Sequence, residues 1–192
     1  MGSFSRQDTS QLGLRDVLFH GTGVAIAWYG LFHFNQWLFV SLSVSEQVNW
    51  IFLPAAIRML AVVLFGWAGV LGLFLGSILT NQLFGEASPA AALTVSFLSA
   101  LGPWLAFRTC THWLHLPEDL TGLKPRHLLM LSAVGAFFIS VPHCIFFYVS
   151  GISPRLFSDL IIMFTGDLIG TLMVLYAASF VLKLLSPRSP SS

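Results

Sequence analysis

Arg58 and Asp167 are the residues of this 192-residue chain whose types and setting most demand a chemical reason. Each lies inside a long apolar run, where a guanidinium or a carboxylate is costly and a partner or ligand is the usual compensation. Counted along helices at about 1.5 Å per residue, Arg58 falls roughly eight residues from one end of its run and Asp167 roughly ten from the corresponding end of its own. They therefore reach similar depth, and a salt bridge between them is geometrically allowed. His33 and His143 lie about seven residues from the same side, and Asn35, Gln36, Asn49 and Asn81 belong to the same half. The opposite half contributes His20 and little else with a polar head. This asymmetry predicts an outward-facing pocket for a small ligand, lined by Arg58, Asp167, His143, His33 and Asn81 and walled by the aromatic residues that form 14% of the chain. A plainer expectation stands beside it. Arg58 and Asp167 neutralise each other between two helices, and each histidine bonds a backbone carbonyl or water rather than a ligand. A snorkelling Arg58 is a third arrangement.

Other chemistry is less well supported. Cys110, His112, His115 and His127 supply zinc-type donors, but their spacing matches no closed structural site, so no metal is expected. There is no G-x-S-x-G elbow, P-loop or Asp-rich phosphate motif, and the expectation is a protein that is not an enzyme and carries no cofactor. Cys110 and Cys144 fall toward opposite faces of the membrane and are not expected to pair.

The elements that must position these residues follow from composition. Of the chain 56% is hydrophobic and only 9% charged, with a mean hydropathy of +0.81, against about 25% charged in an ordinary soluble domain. The expected fold is all-α, a polytopic helical bundle in a lipid bilayer. A net charge of +1 with no polybasic run excludes nucleic acid as a partner. The run from Trp50 to Asn81 is too long for one simple crossing of about 20 residues, and it reads as two helices joined at Phe65, Gly66 and Trp67. Six spans result, at about 17–40, 50–65, 67–84, 90–107, 127–149 and 157–185, between a polar leader at 1–16 and a disordered tail at 186–192. The Ala25-Ile26-Ala27 triplet mimics a signal-peptidase site, but the apolar run continues past it, so a retained helix is expected. With six spans, Arg6, Arg15, Arg108, Lys124, Arg126, Lys183 and Arg188 share one side, which makes both termini cytoplasmic and leaves Arg155 outside. Trp37 and Trp50, and Trp67, Trp104 and Trp113, then sit at the two interfaces as an aromatic belt. Gly21 with Ala25, and Gly23 with Ala27, form two small-xxx-small pairs suited to close helix packing, either within the bundle or against a partner helix.

Trp50 through Pro54, then Phe65-Gly66-Trp67 to Leu75-Gly76-Ser77-Ile78-Leu79-Thr80-Asn81, resembles the first membrane-associated sensor family, a bacterial multi-helix domain found ahead of diguanylate cyclases and histidine kinases. Gly166-Asp167-Leu168-Ile169-Gly170 is similar to that family's last characteristic segment. The chain departs from the family in its shorter length, in Ala55-Ala56 where a glycine follows the family's proline, and in having Arg58. The resemblance implies a sensor in the bacterial inner membrane that signals through a separate partner; in such a sensor Gly66, Gly69, Gly72, Gly76, Gly166 and Gly170 permit close sliding contacts of the third and sixth helices. A six-span chain with a Gly-rich third helix is also similar to the substrate-binding components of energy-coupling-factor vitamin transporters. In that reading the same pocket captures a solute, and Gly21, Gly23, Ala25 and Ala27 dock the module that energises transport. A membrane scaffold without a ligand is the third expectation.

Overall fold

The computed structural model describes residues 13–44, 48–84, 88–115 and 125–185. Most of the expected leader, the Glu86-Ala87 turn, the connection through Lys124 and the 186–192 tail lie outside them. Every regular element among the described residues is a helix: α1 (Leu14–Phe39, continued by a 3₁₀ turn at Val40–Leu42), α2 (Pro54–Phe65), α3 (Trp67–Phe84), α4 (Pro89–Trp113), α5 (Pro125–Val149) and α6 (Leu156–Leu185). Four segments are long and apolar enough to cross a membrane: Leu14–Leu42, Pro89–Trp113, Arg126–Val149 and Leu156–Ala178. Two shorter apolar helices, Pro54–Phe65 and Trp67–Asn81, accompany them.

Local signals explain the boundaries. Proline at the first helical position starts α2 and α4, where its missing N–H is no loss. Ser88 caps α4 by accepting from the backbone N–H of Ala91 at 3.2 Å. Between α2 and α3 the chain turns at Gly66, whose φ of +53° and ψ of −126° suit a residue without a Cβ. One boundary differs from expectation. Residues 50–53 are not helical, because the helix begins only at Pro54.

The helix α2 is the hub. It touches α1, α3, α4, α5 and α6, which follow one another around it in the contact order α1–α3–α4–α5–α6, while α1 and α6 do not touch among the described residues. The ring is thus open between α1 and α6. Its interior is rich in small and hydroxyl side chains, with Ser77, Thr80, Ser96, Ser99, Ser132, Ser140 and Thr171 all buried, whereas Leu64, Phe157, Ile161 and Phe180 are exposed. Small and polar residues inside and large apolar ones outside are the pattern of helices packed in lipid.

The glycines divide by partner. On α1, Gly21 and Ala25 face α3, where a Cβ on Gly72 would strike the carbonyl oxygen of Gly21, and one on Gly76 would come within 2.9 Å of the Trp28 ring and 3.1 Å of the Ala25 oxygen. Gly23 has nothing within 4 Å of an added Cβ, and Ala27 is exposed beside it. The glycines of α3 and α6 make their close approaches to different partners, since these two helices do not touch among the described residues. Gly166 and Gly170 of α6 instead lie against the backbone of Asn49 and Phe52.

Candidate functional site

The irregular segment 48–53 enters the open side of the ring. Phe52 N donates to the Gly166 carbonyl at 3.1 Å, and Leu53 N donates to Asn35 Oδ1 at 2.8 Å. The segment therefore bridges α1 and α6 where the two helices fail to meet. Non-helical backbone at this depth requires such partners, because lipid supplies none. A side chain at Gly166 or Gly170 would collide with it, which explains those two glycines better than helix–helix packing does.

Immediately after this segment, α2 presents Arg58 toward α6. Arg58 Nη1 donates to Asp167 Oδ2 at 3.0 Å, with both side chains buried. The guanidinium carbon lies 5.0 Å from the Trp28 ring centre and 4.9 Å from that of Phe52, close enough for the ring faces to share its charge. Thr171 Oγ1 donates to the Asp167 carbonyl at 2.7 Å. Arg58 Nε has no acceptor among the described residues. Beside the pair is a space of about 10 Å³ walled by Ser132, Gly135, Thr171 and the pair itself, room for roughly one water molecule. The guanidinium is held inside the bundle and does not snorkel.

The other candidates occupy separate settings, and none of them lines that space. His143 fastens α5 to α4. Its Nδ1 is 2.7 Å from the Ile139 carbonyl, which can only accept, so the proton sits on Nδ1 and Nε2 accepts from Ser99 Oγ at 3.2 Å. Asn81 Nδ2 donates to Ser77 Oγ and to Ser96 Oγ, each at 3.2 Å, stitching α3 to α4. His33 is half-buried on α1, with its ring centre 4.4 Å from that of Tyr29 and 5.6 Å from that of Phe32. Of the five residues, the structure brings Arg58 and Asp167 into contact and gives Asn81 and His143 other partners.

Two residues escaped the sequence reading. Asp159 is buried, with its carboxylate 3.9 Å from the half-exposed Arg155 Nε. The signal was present in the spacing: Asp159, Ile162, Met163, Gly166, Asp167, Gly170 and Thr171 are all buried and follow the i, i+3, i+4, i+7 rule of one helix face. Trp28, the ring over Arg58, belongs to the similar buried row of Gly21, Val24 and Ala25 on α1. Its Nε1 donates to Thr80 Oγ1 at 3.3 Å.

Cys110 and Cys144 are both buried and unpaired as thiols. Among the described residues no three His, Cys, Asp or Glu side chains converge as a metal site would require. Comparison with protein families, with curated proteins and with solved structures returns no match.

Proposed function

We propose that this chain is a six-span sensor module of the bacterial inner membrane, with both termini cytoplasmic, that binds a small ligand near its outer half and signals through a separate partner protein. The observation that carries the reading is the buried Arg58–Asp167 pair, placed where the irregular segment 48–53, α2 and α6 meet. Charged groups at such depth are functional candidates by default. A pair that ties the central helix to the outermost one is an element whose making and breaking shifts the whole bundle. Segment 48–53 is the part of the site with the fewest regular backbone bonds, so it is the element through which an outer ligand reaches the pair. The resemblance of Trp50–Asn81 to the membrane-associated sensor family supports the same assignment, as does the small space beside the pair, which suits a switch held closed.

A second reading, the substrate-binding component of a small-solute transporter, draws on the free face of Gly23 and Ala27 on α1, which is available to an energising subunit. Co-purification of the full chain from its native membrane decides between them. Recovery with a kinase or cyclase supports the sensor, recovery with ATPase subunits supports the transporter, and recovery alone with no ligand-dependent change supports a scaffold. The pair has its own test: in Arg58→Met/Asp167→Leu, a fold retained with output lost supports a switch, and output retained rejects it.

A further inference from the structure

Between α1 and the second half of α2 lies an open apolar groove of about 710 Å³. It runs from Leu18 to Ala27 on α1 and from Ile57 to Phe65 on α2, two helices that pass each other antiparallel. The groove has a structural cause. Gly72 and Gly76 draw α1 onto α3, the ring stays open between α1 and α6, and segment 48–53 closes that opening only at the start of α2. Toward its end α2 therefore shows Leu60 and Leu64 outward, and Gly23 and Ala27 form the opposite wall without filling the space.

We propose that this groove binds one acyl chain of an acidic phospholipid, with the phosphate held at the Arg15 and His20 end of α1. The assignment rests on the reading that the chain spans a bilayer. The groove follows α1 from Leu18 to Ala27, a length of about 15 Å, which is half of a hydrocarbon core of about 30 Å and so matches one leaflet. His20 is the ionisable side chain in the lining. It stacks on Phe65 with ring centres 4.9 Å apart and meets the edge of Phe19 at 5.7 Å, which fixes it at the groove's end. Exposed Arg15 stands five positions earlier on the same helix, beside exposed Asp16, so the groove ends where headgroups lie and where a cation is present. A neutral lipid would use the apolar walls but not the basic end.

The test uses the full chain in mixed micelles of phosphatidylglycerol and phosphatidylcholine, with retained lipid read by native mass spectrometry. Wild type is expected to keep one phosphatidylglycerol in preference to phosphatidylcholine. Gly23→Trp fills the groove and should abolish retention, whereas Gly30→Trp, also open around its Cβ but outside the groove, should not. Arg15→Gln should keep the lipid and lower the preference about fivefold, the contribution of one basic residue near a charged surface. Equal retention in Gly23→Trp and wild type, with both monodisperse, overturns the proposal. So does retention without headgroup preference, or a second copy of the chain or a co-purified protein helix displaced by Gly23→Trp in place of lipid. Extraction of the wild type from membranes by alkaline carbonate would instead defeat the bilayer reading, separately from the groove.

Discussion

Removing one member of the Arg58–Asp167 pair strands an ion of the other sign among Trp28, Phe52 and Met59, beside a space with room for roughly one water molecule. Arg58→Met or Asp167→Leu alone is therefore expected to destabilise the bundle by about 3–5 kcal/mol, and the double replacement by far less. Reversible unfolding in detergent, read as a double-mutant cycle, checks this; additive losses would show that the two side chains do not act as a pair. Asp159→Asn should cost less than about 1 kcal/mol, because its nearest cation is half-exposed and 3.9 Å away. Burial is not what separates the two aspartates, since both are buried. Ser99→Ala leaves His143 Nε2 without its donor and is expected to cost about 1–3 kcal/mol in the same assay. The pair was legible in the sequence because position along a helix is a matter of counting. Which way each side chain points is a matter of packing, so the bonds of Asn81 to Ser77 and Ser96 and of His143 to Ser99 and Ile139 could not be read from it.

At the scale of elements, the glycines separate into those that carry a close approach and those that do not. Gly166→Ala and Gly170→Ala drive a methyl group into the backbone of segment 48–53 and are expected to lose about 1–3 kcal/mol. Gly23→Ala, with open space around it, should stay within about 0.5 kcal/mol of wild type. Equal losses at all three positions would mean that the segment yields to accommodate the methyl groups. Six helical segments could be read from hydropathy and breakers, because apolar runs and Gly or Pro punctuation are local properties. The unwinding before α2 could not. Trp50-Ile51-Phe52-Leu53 is as apolar as the helix that follows, and hydrogen bonds to Leu42, Asn35 and Gly166, the last two at 18 and 114 positions' remove, take the place of helical ones.

For the whole molecule, the open ring around α2 ties the two proposed activities to one architecture, with the plug of residues 48–53 at one end of the α1–α6 gap and the groove at the other. The six-span orientation predicts that a reporter fused after Ser192 is active only in the cytoplasm; activity confined to the other side would reverse or remove a span. Twelve residues of α2 rise only about 18 Å, well short of a hydrocarbon core of about 30 Å. In the proposed six-span arrangement the rest of that crossing falls to the irregular plug and the turn at Gly66. Hydrophobic mismatch is consequently concentrated on the plug, whose bonds to Asn35 and Gly166 resist stretching less well than a continuous helix would. In that arrangement a thicker bilayer would load the segment that leads directly to Arg58, so the length of the surrounding lipid chains becomes a mechanical input to the proposed site.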